Sequence, residues 1–120
     1  MAYNYALFEA LLRKVYSSLE NREYFFSLKE SLDIFFYYFD KYEESRGEIH
    51  PNIRISQIEQ IEKKMPFFDD QIGPINSFEA DHYFAMIDCH FQTQYRNCDY
   101  NINHFFSGDI RYYKFCETCV

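Results

Sequence analysis

From residue 3 to residue 44 the apolar side chains recur at alternating steps of three and four, and this periodicity constrains the fold more than any other feature of the chain. Tyr5, Phe8, Leu11, Leu12, Val15, Tyr16 and Leu19 share one side of a helical period, with Glu9, Arg13, Lys14 and Ser17 between them. This predicts an amphipathic helix over 3–20. A second stripe, Phe25, Leu28, Leu32, Phe35, Phe39 and Tyr42, predicts a second helix over about 22–44, with Asn21 as its cap. So short a link around Asn21 favours an N-terminal antiparallel helical hairpin whose two stripes face one core.

The charged stretch 41–47 ends the second helix at Gly47, and Pro51 bars its continuation. Ser56 and Glu59 have capping-box spacing, and Ile55, Ile58, Ile61 and Met65 keep helical period up to Pro66, which marks a short third helix. Turn chemistry follows, from Pro66 through Asp69 and Asp70 to Gly73 and Pro74. Residues 76–96 alternate like a strand but also place Ala80, Tyr83, Phe84, Ile87, Phe91 and Tyr95 on one helical arc. Asp81, His82, Asp88, Gln92, Thr93 and Arg96 lie outside that arc, and Asn76 with Glu79 supplies a cap, so a fourth helix is expected. In the tail, Asp99 caps a short helix that ends at Gly108, or Ser107 and Gly108 turn a hairpin between strands. The expected fold class is therefore all-α, a small helical bundle in a single domain over 1–120. The alternative is α+β with a C-terminal antiparallel hairpin.

Composition narrows the function more than it defines it. A net charge of −7, from 19 acidic against 12 basic residues, makes a phosphate-coating surface unlike this chain, so nucleic acid is not the expected partner. The longest apolar run, Ile34 to Phe39, is far short of the roughly 20 residues of a membrane span, so no membrane role is expected. The first residues lack the basic and continuously apolar regions of a secretory signal, and a cytoplasmic location is the expectation. There Cys89, Cys98, Cys116 and Cys119 are read as thiols or metal ligands, not disulfides.

Three constellations carry chemistry. Cys116 and Cys119 have the two-residue spacing of zinc knuckles, and Cys98 with His104 would complete a four-ligand zinc site, structural in role. Otherwise no cofactor is expected. Arg96-Asn97 followed by His104 resembles the Arg-Asn…His arrangement of HEPN-type ribonucleases, all-helical domains in which the Arg and His act on the scissile phosphate. Here seven residues separate Arg96 from His104, a longer gap than that pattern has. The resemblance would make Arg96 and His104 catalytic. No glycine-rich phosphate loop, nucleophile elbow or zinc-protease helix motif appears in the sequence, which leans the reading away from an enzyme.

The third constellation is the aromatic excess, 14 Phe and 12 Tyr, because these side chains dominate interface hot spots. Phe36, Tyr37 and Tyr38 lie off the main stripe of the second helix, and Tyr112 and Tyr113 form an aromatic cluster with Arg111 and Lys114. All five are expected at a homodimer or partner interface. Size and charge suit a protein-binding module of the inhibitor, immunity or anti-defence kind, such as phage or mobile elements carry, with an acidic face for a basic partner. A zinc-stabilised domain is the alternative, and an RNA-cleaving one the third.

Overall fold

A computed structural model describes residues 3–18, 26–65, 68–69, 73–74, 80–94 and 98–106. Its helices are α1 (Tyr5–Ser18), α2 (Leu28–Arg46), α3 (Ile55–Lys64), α4 (Ala80–Gln92) and α5 (Ile102–Phe105). Between α3 and α4, Phe68–Asp69 (β1) and Gly73–Pro74 (β2) pair antiparallel over two residues each. The fold is a small all-α bundle, with α2 packed against both α1 and α4, and α1 also against α3.

Local signals set the limits of α2. Ser27 Oγ accepts from the Glu30 N–H, and Glu30 Oε1 accepts from the Ser27 N–H, each at 3.2 Å. This reciprocal box starts the helix at Leu28, later than the apolar period predicts, so Asn21 is not its cap. At the other end Gly47 takes φ 72 and its N–H donates to the Glu43 carbonyl at 2.9 Å. A Cβ there would meet open space, so Gly47→Ala is expected to cost about 1 kcal/mol from the left-handed backbone alone. Urea midpoints would measure it, and Gly47→Asn should lose less than the alanine variant.

The contacts between α1 and α2 run in opposite chain order. The Tyr5 hydroxyl donates to Asp40, Phe8 meets Phe35 at 4.7 Å between ring centres, and the Tyr16 hydroxyl lies 3.2 Å from the Phe26 carbonyl oxygen. The link expected around Asn21 falls outside the described residues. The other α2 flank meets α4, which explains why Ile34 and Tyr38 are buried together with the stripe residues Leu32, Phe35 and Phe39. A helix covered on two sides needs apolar residues around most of its girth.

Two further starts and one register differ from the sequence expectation. Helix α3 begins at Ile55, where the Arg54 N–H donates to Gln57 Oε1 at 2.8 Å, so the spacing of Ser56 and Glu59 does not mark its cap. Helix α5 is capped by Asn101, whose Oδ1 accepts from the Asn103 N–H at 3.0 Å, while Asp99 bonds the Asn101 N–H upstream. It ends at Phe105 and not at Gly108. Helix α4 spans 80–92 within the predicted 76–96, and its buried face is Tyr83, Met86, Ile87 and His90, a rotation that leaves Phe84 and Phe91 half-buried. The expected C-terminal strand hairpin around Ser107 lies outside the described residues. No helix among the described residues is long and apolar enough to cross a membrane.

Candidate functional site

The rotation of α4 produces the most site-like surface among the described residues, the seam where α2 and α4 run side by side. Tyr37 from α2 and Phe84 from α4 meet there with ring centres 4.7 Å apart. The Tyr37 hydroxyl donates to Asp88 Oδ1 at 2.6 Å, and burial first, then this carboxylate, push the phenol up to about 12. Tyr37 therefore stays a neutral donor throughout the physiological range. Lys41 lies 3.5 Å from Asp88 and 3.9 Å from Glu44, with its ammonium 5.5 Å from the centre of the Tyr37 ring.

Two clefts open along this seam. One, of about 410 Å³, is lined by Glu30, Asp33, Ala80, Asp81 and Phe84. The other, of about 320 Å³, is lined by Lys41, Glu44, Ser45, Asp88, Phe91 and Gln92. Each therefore sets one half-buried aromatic among carboxylates, and among the described residues Lys41 is the single basic one lining either. Lys29, nearby on α2, is paired with Asp33 at 3.1 Å in an exposed contact worth well under about 1 kcal/mol. A further cleft on the outer face of α1 has the opposite sign, with Arg13 and Lys14 beside Ala10 and Ser17.

The aromatic trio expected at an interface separates into three environments. Tyr38 is fully buried, with its hydroxyl donating to the Tyr100 carbonyl at 2.6 Å and its ring 5.0 Å from Phe91 and 5.5 Å from Phe105. It belongs to the core, which corrects its assignment as a contact residue. Phe36 is half-buried and faces α1, with Tyr5 4.7 Å and Phe8 6.0 Å away. Only Tyr37 borders the seam. Among the described residues the exposed large apolar side chains are Leu7 and Ile55, so the surplus aromatic surface is absorbed by helix packing and not left as an open patch. Tyr112 and Tyr113 lie outside the described residues.

Of the zinc candidates, Cys98 and His104 do come together. Their ligand atoms and the carboxylate of Asp99 all lie within 4.8 Å of one another, while Cys116 and Cys119 lie outside the described residues. Sequence reasoning placed Asp99 as a helix cap and so missed it as a donor, although its position next to Cys98 was the available signal. Arg96 also lies outside the described residues, so the structure gives no geometry for the pairing with His104 that the ribonuclease resemblance implies.

Among the described residues, the buried groups Glu62 and His50 belong to the scaffold. Glu62 on α3 accepts from Ser31 Oγ of α2 and from the Tyr16 hydroxyl of α1, the latter at 3.2 Å, and so ties three helices. Burial raises its carboxyl above the ordinary value, against the two hydrogen bonds that favour the charged form. His50 is held neutral in one tautomer, with Nδ1–H donating to the Pro51 carbonyl at 2.7 Å and Nε2 accepting from the Ile102 N–H at 3.0 Å. Burial lowers its basicity, opposed by the Pro51 carbonyl and by Asp99. Neither group lines the clefts described above. No protein-family model matches the chain, and no curated protein or solved structure matches it either.

Proposed function

We propose that the chain is a small acidic protein-binding module of the inhibitor, immunity or anti-defence kind, whose α2/α4 seam covers a Lys- or Arg-bearing segment of a partner protein. The observation that supports it is the lining of the two clefts, where Glu30, Asp33, Glu44, Asp81 and Asp88 surround Phe84 and Phe91, with Lys41 as the single cation among the described residues. Aromatic floors supply contact area at low entropic cost, and the surrounding carboxylates select a basic segment and speed its encounter. The aliphatic stem of a partner lysine or arginine can lie along Phe84 or Phe91 while its cationic head meets the acids.

The charge swap Asp33→Lys with Asp81→Lys tests this reading. Both residues are exposed, so thermal stability should stay near that of the parent chain. The association rate with the cellular partner is expected to fall about 10- to 100-fold at low salt and to converge with the parent at high salt. Equal capture of the same partner by both proteins would remove the seam from the interface. Self-association of the parent chain that is lost both in this variant and on changing Arg13 and Lys14 to glutamate would mean that the seam meets the α1 cleft of a second copy instead.

A further inference from the structure

We propose that Cys98, Asp99 and His104 form a zinc site at the start of α5, independent of the seam's role. The three donors are of different types, a thiolate, a carboxylate and an imidazole, and their ligand atoms lie within 4.8 Å of one another. Tetrahedral zinc, with ligand bonds of about 2.0–2.3 Å, sets neighbouring donors roughly 3.5 Å apart, so the trio needs only a small closing movement to reach bonding distance. Sulfur and imidazole favour zinc over calcium or magnesium, which take oxygen ligands. Cys98 and Asp99 are adjacent, and His104 returns to them across one short turn of backbone.

That backbone is already fixed, which lowers the ordering cost of binding. Tyr100, between the two ends of the trio, has φ 58, a conformation rare for a bulky residue. It is held there from several directions. Its carbonyl accepts from Tyr38 at 2.6 Å, its hydroxyl donates to the Thr93 carbonyl at 2.5 Å, and its ring stacks on Phe91 with centres 5.8 Å apart. The Tyr100 N–H donates to Cys98 Sγ at 3.3 Å, and the Asn101 N–H donates to Asp99 Oδ1 at 2.9 Å, so both side chains are aimed by second partners of the kind that orient metal ligands. The Asp99 carboxylate keeps its other oxygen for the ion. Half-burial of Cys98 and His104 limits access by water without closing the site to an entering ion. Three protein ligands leave the fourth tetrahedral position to water or to a further thiolate.

The test uses the untagged full chain prepared without chelator. Titration with zinc against a chromophoric competitor is expected to show one equivalent bound with a Kd at or below the micromolar range. Cobalt(II) in place of zinc should give a sulfur-to-metal charge-transfer band. Cys98→Ser and His104→Ala should each weaken zinc at least tenfold, while Cys89→Ser should leave affinity unchanged. Zinc should also protect Cys98 of the parent chain from iodoacetamide, read by peptide mass spectrometry, a measurement that needs no variant to fold. Failure to take up zinc, a loss smaller than tenfold in either ligand variant, or unprotected Cys98 at saturating zinc would each overturn the site.

Discussion

Replacing Phe39 with alanine is expected to cost about 3–5 kcal/mol, a large share of the roughly 5–15 kcal/mol that holds a domain of this size together. Phe39 is fully buried near the middle of the core, and its ring joins elements that are distant in sequence. It stacks on Tyr3 with centres 4.1 Å apart, meets Phe8 edge-on at 5.2 Å, and lies 4.9 Å from His50. Truncation removes the transfer free energy of the ring and leaves a cavity walled by other rings, which are too rigid to collapse into it. Phe36, three residues earlier and half-buried against α1, should lose less than half as much on the same change. Urea denaturation of both variants measures the pair. Equal losses would contradict the placement of Phe39 in the core and Phe36 at its rim.

That contrast bears on how much of the fold could be read from residues alone. The stripes of α1 and α2 were legible because each helix keeps its apolar period for several turns, and amphipathic burial follows period directly. The start of α2 was less so. Phe25 and Phe26 continue the apolar pattern, yet the box between Ser27 and Glu30 begins the helix after them, because a satisfied backbone N–H outweighs one more apolar turn. In α4 the expected arc held Tyr83 and Ile87 together with Phe84 and Phe91, whereas the structure also buries His90 and leaves the two phenylalanines half-buried. Hydropathy ranks histidine as polar, but His90 sits in a ring cage, 5.1 Å from Phe105 and 5.3 Å from Tyr100, that only tertiary structure assembles. The same holds for the candidate sites. Cys98 and His104 were legible as metal-type residues close in sequence, but the seam needed the side-by-side packing of α2 and α4 to bring Asp33 and Asp81 to one cleft.

Glu62 was the least legible residue of consequence, because in sequence it is one more charge beside Glu59, Lys63 and Lys64 on a short helix. In the fold it is buried, and its carboxylate is the acceptor for Ser31, itself fully buried, and for Tyr16. Glu62→Ala is expected to cost about 2–3 kcal/mol, since it leaves a buried hydroxyl on α2 without its acceptor and removes packing between three helices. Glu62→Gln should cost less, because an amide oxygen still accepts from Ser31 and no charge is desolvated. The two variants also differ in pH dependence, and the sign follows from the raised carboxyl. Its folded pKa lies above the ordinary 4.5, so the native state binds the extra proton and is favoured at low pH. This contribution is complete below pH 4.5 and is lost as pH rises through the folded value. His50 acts in the opposite sense, with stability present above its ordinary 6.5 and lost as pH falls through its lowered folded value. The rings of Tyr3, Tyr38, Phe39 and Tyr42 surround it, and Asp99 is the charged group acting on it. Because His50 is unchanged in Glu62→Gln, its contribution cancels when the variant's stability is subtracted from the parent's at each pH. The remaining difference is expected to move steadily against the parent chain from pH 4.5 upward and to level off once the carboxyl is fully ionised, as read from urea midpoints between about pH 4 and 8. A difference that stays flat across that window would mean that the Glu62 carboxyl is not raised in the folded chain, its hydrogen bonds from Ser31 and Tyr16 offsetting its burial in full.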